Sequence, residues 1–269
     1  MIEALFLGIV QGLTEFLPIS SSAHIRIVGA FLPHANDPGA AFTAITQIGT
    51  ELAVLIYFRK DILHILRSWL KRDGSPEARL GTLIIIGTLP IVVLGYLGQD
   101  YITNNFRSLW LIASTLIIFG LILGYADRVG KNQKDLSTLN ARDGILYGLA
   151  QSLALIPGVS RSGATIALGR FLGYKREAAL RYSFLLALPA VFGSGLYELK
   201  KSLGDTAVKV YTMPQTLVAT VTAFVIGYAV IAWLMKYIAT KSFKPFIIYR
   251  VAIGSALLVA LATGWISAQ

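Results

Sequence analysis

Four long stretches without a charged residue constrain the fold of this chain more than any other feature. An α-helix needs about 20 apolar residues to cross the hydrocarbon core of a bilayer, and these stretches approach or exceed that length. They are Gly81 to Gly98, Ser108 to Ala126, Val210 to Met235 and Val251 to Gln269. The pattern predicts an all-α polytopic membrane protein, with a single membrane domain over residues 1–269.

The composition leads to the same class of protein. Hydrophobic residues make up 55% of the chain and charged residues only 14%, whereas roughly a quarter of the residues in a soluble domain are charged. The net charge of +10 raises nucleic acid as a partner. However, the basic residues lie in short segments between apolar runs, as they do in the loops of membrane proteins. We therefore expect membrane lipids around the chain and no nucleic acid.

The two halves of the chain match each other at a fixed offset of 140 residues. Such self-similarity indicates a duplicated unit. We place unit one at about 1–130 and unit two at about 141–269. The matched residues include Gln11 with Gln151, Ser20 with Ser160, Ser22 with Ser162, and GAFL from Gly29 with GRFL from Gly169.

Each unit is predicted to contain one broken apolar segment followed by three transmembrane helices. Pro18 interrupts the first broken segment, because proline lacks an N–H and clashes with the preceding turn. Irregular backbone at membrane depth is tolerated only inside protein or beside a water-filled cavity, so we expect the broken segments to be re-entrant. The broken segments are Ala4 to Phe31 and Ile145 to Phe171, and the spans are Ala41 to Phe58, Gly81 to Gly98, Ser108 to Ala126, Tyr182 to Tyr197, Pro214 to Met235 and Phe246 to Ile266.

Because each unit has an odd number of spans, the second unit is expected to have the opposite orientation in the membrane. This is the inverted-repeat architecture, in which a site forms near the midplane where the broken helices meet. The loops Arg59 to Arg79 and Asp127 to Asp143 are rich in Lys and Arg, while Gln99 to Arg107 carries only Arg107. The positive-inside rule places the first two loops in the cytoplasm and both termini outside. The amphipathic segment Asp61 to Lys71 is predicted to be a helix at the cytoplasmic interface.

The first break, QGLTEFLPISSSAH, carries most of the candidate chemistry. Gln11 and Glu15 are four residues apart, so they share one helical face and can bind the same metal ion. Ionisable groups inside a membrane are functional candidates by default. His24 is a candidate base or nucleophile, and Ser21 is the alternative nucleophile. Glu51 is a further candidate that either supports this site or makes a polar contact within the bundle.

The second break, PGVSRSGAT, is suited to phosphate. Arg161 presents a planar fork that can bind phosphate oxygens in a bidentate manner. Gly158 and Gly163 allow backbone N–H groups to approach an anion closely, and a helix that starts after the serines adds its dipole. The residues expected to bind the phosphates are Ser20, Ser22, Ser160, Arg161, Ser162, Gly163 and Thr165.

Together, the two breaks describe a site for a di- or triphosphate bridged by a hard divalent cation, Mg²⁺ or Ca²⁺. The cation ligands would be Glu15 and Gln11. The apolar surroundings imply that the remainder of the substrate is a lipid.

The two motifs, QGLTEFLPISSSAH and LIPGVSRSGAT, resemble those of the bacterial undecaprenyl-diphosphate phosphatases, the family linked to bacitracin resistance. The resemblance covers the whole chain. It implies a hydrolase of the bacterial plasma membrane that converts undecaprenyl diphosphate to the monophosphate with a divalent cation, at a site reached from the outer face. The family's motif residues fall on Gln11, Glu15, Ser21, His24, Ser160, Arg161 and Ser162, with Thr165 following.

A lipid-carrier flippase or transporter is the alternative function, because an inverted repeat suits a carrier equally well. The two units carry different reactive residues, which favours the enzyme. At the offset of 140, His24 is aligned with Ala164 and Glu15 with Leu155. Several alternatives stay open at this point. They are the identity of the metal, the choice between His24 and Ser21 as nucleophile, a homodimer, and the preferred prenyl length.

Overall fold

The computed structural model describes residues 1–32, 38–106, 108–204 and 210–267. Within these ranges the chain is helical, and its one β-type pairing is an isolated bridge between Lys134 and Tyr174. The predicted all-α class is therefore confirmed. The α-helices of the described residues are α1 Ile2–Thr14, α2 Ser21–Gly29, α3 Ala40–Tyr57, α4 Arg59–Lys71, α5 Pro76–Asn105, α6 Leu109–Val129, α7 Ala141–Ser152, α8 Arg161–Phe171, α9 Arg176–Gly204, α10 Met213–Thr240 and α11 Lys244–Ala262.

Several of these helices can cross a membrane. In the described part of the chain, α5, α6, α9, α10 and α11 are long and apolar enough, and α3 with α4 gives a sixth span if the bent pair is counted as one. The prediction of a polytopic membrane protein is confirmed. The helix axis turns by 78° between α3 and α4, so the predicted amphipathic segment is indeed a separate helix. Arg107, on which the loop-charge argument relied, lies outside the described residues.

Several spans are longer than the sequence pattern predicts, and the difference is largest for α5 and α9. The predicted limits of α5 and α9 were set where charged residues appear, but both helices continue past them. Charged residues such as Glu, Lys and Arg are good helix formers, so they end an apolar run without ending a helix. At the start of α5, Ser75 accepts a hydrogen bond from the backbone N–H of Ala78, and Pro76 occupies the first turn.

Both predicted breaks are present, between α1 and α2 and between α7 and α8, and they have the same local structure. Ser20 and Ser160 precede the second helix of each pair with φ angles of 74° and 70°. Each serine side chain accepts a hydrogen bond from a backbone N–H three residues later, at Ala23 and Gly163. Positive φ is uncommon for any residue except glycine. The same uncommon cap therefore starts α2 and α8.

The loop that contains Lys134 contacts both the start of α7 and the end of α8. The ammonium of Lys134 lies 3.1 Å from Asp143 in the first turn of α7. The backbone N–H of the same Lys134 donates to Gly173, just after α8, at 3.0 Å. The start of α7 and the end of α8 therefore lie side by side, and the break lies at the far end of a helical hairpin.

Close helix packing supports this arrangement. Helix α1 packs on α10 and helix α7 packs on α5. A Cβ on Gly148 of α7 would lie 2.7 Å from the Cα of Gly87 in α5, and a Cβ on Gly8 of α1 would lie 2.8 Å from the Cα of Ala219 in α10. Small residues at such contacts let membrane helices approach closely.

Candidate active site

The two breaks open onto one cavity of about 550 Å³. Its apolar wall comes from the second halves of α5 and α9 and includes Ile91, Val92 and Val191. Its polar wall comes from the breaks. The predicted residues that line it are Glu15, Ser20, Ser21, Ser22, Ser160 and Arg161. The cavity thus combines the polar groups of the two breaks with apolar side chains of α5 and α9, as a lipid with a charged head group requires.

A buried ion pair joins the two breaks. Arg161 Nη2 donates to Glu15 Oε1 at 2.7 Å and to Glu51 Oε1 at 2.7 Å. The side chain of Arg161 is only 14% exposed, and that of Glu51 is fully buried. Removing one partner from such a group leaves an uncompensated buried charge, which is strongly destabilising. The structure therefore brings the predicted carboxylate and the predicted arginine together, and Glu51 joins them.

Glu15 also organises the first break. Its Oε2 accepts hydrogen bonds from Gln11 Nε2 at 2.6 Å, from Ser21 Oγ at 2.5 Å and from Gln47 Nε2 at 3.4 Å. The hydroxyl proton of Ser21 therefore points at a carboxylate. A nucleophile hydrogen-bonded to a base is the usual arrangement for activation of a hydroxyl.

His24 lies one helical turn further along α2, and it does not line the cavity. Its Nδ1 donates to the backbone oxygen of Ser20 at 2.7 Å, because a carbonyl oxygen can only accept. The neutral ring then accepts at Nε2 from the hydroxyl of Tyr249, 2.8 Å away, and the two rings stack with centroids 5.5 Å apart. Both nitrogens of His24 are occupied. Tyr249, on α11, was missed by the sequence analysis, because no motif marks it.

Three of the predicted phosphate-binding residues also lie outside the cavity lining. Ser162 Oγ donates to the backbone oxygen of Leu17 at 3.3 Å. Gly163 uses its N–H to cap α8, and Thr165 Oγ1 lies 2.6 Å from Ser183 Oγ on α9. In this structure these residues tie the second break to the first break and to α9.

Arg250 is a further residue that the sequence analysis missed. It is fully buried in α11, and its guanidinium donates to backbone oxygens of both breaks and of α6. A signal for it existed, since an arginine inside a predicted span is a functional candidate by default. Arg250 lies inside the predicted span Phe246 to Ile266, directly before the charge-free stretch that begins at Val251. Its acceptors are Pro18, Thr115, Leu116, Gly158 and Val159.

Among the described residues, three buried polar atoms around the ion pair find no hydrogen-bond partner: Gln11 Oε1, Glu51 Oε2 and Arg161 Nη1. The two oxygens are acceptors of the kind that Mg²⁺ and Ca²⁺ bind, and the guanidinium N–H can donate to a phosphate oxygen. In the described part of the chain, no three His, Cys, Asp or Glu side chains form a metal cluster. The free Gln11 oxygen beside Glu15 is the group that would hold a cation, and substrate phosphates would supply the remaining ligands.

Comparison with known proteins gives one consistent result. A family model described as "Bacitracin resistance protein BacA" matches residues 4–256. Undecaprenyl-diphosphatase of Micrococcus luteus is 61% identical, with 99% of both chains covered. Undecaprenyl-diphosphatase of Paenarthrobacter aurescens is 57% identical, again over 99% of both chains, and undecaprenyl-diphosphatase 2 of Agrobacterium fabrum is 57% identical over 99% of this chain and 97% of its own. The chain belongs to the bacitracin resistance protein BacA family.

Proposed function

We propose that this protein is a membrane phosphatase that hydrolyses undecaprenyl diphosphate to undecaprenyl phosphate and inorganic phosphate. The observation that carries the proposal is the contact of Glu15, from one break, with Arg161, from the other, in a cavity that also exposes Ser21. A carboxylate, a hydroxyl and a guanidinium suit a diphosphate, and the apolar wall suits a prenyl chain. The names of the curated relatives support the same substrate.

The finer architecture that we propose is an inverted repeat of units at about 1–130 and about 141–269, with a re-entrant pair and three spans in each. If the two units are exchanged, the contact of α1 with α10 corresponds to the contact of α7 with α5. In the same way, the contact of α3 with α10 corresponds to the contact of α9 with α5. All four of these contacts are present. The identical caps at Ser20 and Ser160 support the same relation. An inverted repeat explains why the two breaks meet in one cavity.

We further propose that the cavity opens to the outer face of the plasma membrane. Its wall uses residues from Ile91 to Tyr96 of α5 and from Ala190 to Glu198 of α9, which lie in the second half of each helix. The first turn of α5 follows the basic segment α4 in the chain, and the start of α9 lies against the basic loop after α6, where Lys175 pairs with Asp135 and Arg176 with Asp127. The positive-inside rule places those basic segments in the cytoplasm, so the cavity lies toward the opposite side.

Ser21 is the nucleophile in the mechanism that this geometry supports. Its Oγ attacks the terminal phosphorus while its proton passes to the Glu15 carboxylate. The bond from that phosphorus to the bridging oxygen breaks, and undecaprenyl phosphate leaves with the electron pair. Water then attacks the phosphoserine, so that inorganic phosphate is released and the Ser21 hydroxyl is restored. His24 holds the first turn of α2 through Ser20, and Glu51 orients Arg161 on the phosphates.

Mg²⁺ or Ca²⁺ held by Glu15 and Gln11 would neutralise phosphate charge in this site and stabilise the leaving oxygen. The test is phosphate release from undecaprenyl diphosphate by protein purified in detergent, with and without EDTA. We expect EDTA to lower the rate at least about tenfold, and added Mg²⁺ or Ca²⁺ to restore it. If EDTA leaves the rate of phosphate release unchanged, the proposed role of the cation is wrong. Absence of release under every condition would contradict the enzyme and favour the transporter.

Replacement of Arg161 by alanine is expected to lower kcat/KM by about 10³-fold, or roughly 4 kcal/mol of transition-state stabilisation, because the main phosphate donor is lost. Arg161→Lys should recover only part of this loss, since it restores charge without the planar fork. The matched control is Arg170→Lys, at a buried arginine of α8 that binds Asp127 and backbone oxygens away from the cavity. Arg161→Ala protein within tenfold of the wild type would contradict the role of the arginine.

A further inference from the structure

We propose that Arg250 is a positioning residue that holds the two breaks in one relative geometry, and that turnover depends on this restraint. The inference rests on the proposed phosphatase activity for one of its two readouts. Arg250 does not line the cavity, so it acts through the backbone segments that carry Ser21 and Arg161.

The hydrogen bonds of Arg250 connect three separate parts of the fold. Nη1 donates to Pro18 of the first break at 3.0 Å, and Nη2 donates to Gly158 of the second break at 2.8 Å. Both of these nitrogens also lie 3.1 Å from the backbone oxygen of Val159. Nε donates to Leu116 of α6 at 3.1 Å. A single planar group thus joins both breaks to a transmembrane helix.

These acceptors lie immediately before the groups that react. Pro18 is three residues before Ser21, and Val159 is two residues before Arg161. Because both are backbone carbonyls, a shift of either break would move the attacking hydroxyl relative to the phosphate-binding guanidinium. A misplacement of about 1 Å in an active site can cost about 100-fold in rate.

A second contact reinforces the same turn. Thr115 Oγ1 of α6 donates to the backbone oxygen of Pro157 at 2.8 Å. Gly158 has a φ of 89°, and a Cβ there would lie 2.8 Å from the backbone oxygen of Ile112. The second break is therefore held by α6 and α11 together.

The central test replaces Arg250 with lysine, which keeps the charge but has no planar fork. The three donors of an ammonium cannot serve five carbonyls in three segments. We expect kcat to fall about 30- to 100-fold with KM changed less than about threefold, because positioning is lost while the binding groups remain. Arg170→Lys is the matched control for a buried arginine that loses contacts to carbonyl oxygens elsewhere. Arg170→Lys should lose about as much thermal stability as Arg250→Lys, but its kcat should stay within about threefold of the wild type.

Hydrogen–deuterium exchange gives a readout that is independent of turnover. Arg250→Lys should speed exchange at least about tenfold in peptides covering residues 17–24 and 157–163, whereas Arg170→Lys should leave both peptides unchanged. Thr115→Val removes the hydroxyl that contacts Pro157 and also two carbonyl oxygens within α6, and it leaves every hydrogen bond of Arg250 in place. It should lower kcat about fivefold. Combined with Arg250→Lys, it should add less than its single effect, because both contacts hold the same turn.

The outcomes separate this inference from the proposed function. Wild-type protein that releases no phosphate would contradict the function, and the exchange data would still decide the positioning role. An active wild type with an Arg250→Lys kcat within threefold, or with unchanged exchange in both peptides, would overturn the inference alone. If Arg250→Lys fails to fold, Arg250→Gln, which removes the guanidinium but keeps a donor, decides by the same two measurements. An unchanged kcat or unchanged exchange in both peptides of that variant overturns the proposal.

Discussion

Glu15→Gln protein is expected to release phosphate about 10⁴-fold more slowly than the wild type, because one carboxylate serves several purposes. It accepts the proton of Ser21, it pairs with Arg161, and it is the cavity-lining oxygen donor proposed for the cation. Glutamine keeps the size of the side chain and removes the charge and the basicity. The measurement is initial-rate phosphate release with saturating Mg²⁺ or Ca²⁺.

The matched control for this variant is Glu177→Gln, in the first turn of α9 at the predicted cytoplasmic end. It removes the same charge from the chain and should leave the rate within about threefold of the wild type, as surface substitutions usually do. Turnover by Glu15→Gln within tenfold of the wild type would rule out Glu15 as both base and cation ligand. An Mg²⁺ requirement unchanged in residual Glu15→Gln activity would rule out the ligand role alone.

Ser21→Ala is the second variant with a very large expected effect, a loss of about 10⁴-fold or more, because it removes the attacking oxygen. His24→Gln should lose only about 10- to 100-fold, since His24 orients the first turn of α2 from outside the cavity. The comparison of the two variants decides the nucleophile. If His24→Gln is the more damaging, the roles assigned here are reversed.

A direct measurement accompanies this comparison. Wild-type protein quenched during turnover with SDS at neutral pH, which preserves phosphate on serine and on histidine alike, should carry phosphate on Ser21, located by mass spectrometry. His24→Gln should carry the same modification, and Ser21→Ala should carry none. Phosphate found on His24 in the wild type would identify the histidine as the nucleophile.

Much of the fold was predictable because the properties that determine it are local. A charge-free apolar run of membrane length is enough to predict helices such as α6, α10 and α11. Pro18 and the serines after it place the first break within a few residues, because proline ends a helix and serine caps one. The approach of Glu15 to Arg161 is what the proposed inverted repeat, with its odd number of spans per unit, predicts.

The residues that the sequence analysis missed depend on tertiary packing. His24 was treated as a reactive group, but its direction depends on which helix packs against α2, and that helix presents Tyr249 from the other end of the chain. Likewise, the role of Arg250 depends on the three-dimensional meeting of Pro18 and Gly158, which are far apart in sequence. No local pattern contains such information.

The ion pair between the breaks also affects the order in which the protein can mature. Synthesis from the N-terminus delivers Glu15 and Glu51 to the membrane before Arg161 has been made. A chain that stops before α8 would hold two carboxylates in an apolar environment without their guanidinium, a costly arrangement. A truncated first unit should therefore be unstable and should be degraded by membrane proteases. Co-expression of the second unit should protect it from this degradation. The pairing that prepares the site for phosphate would thus also serve as a checkpoint for the completed chain.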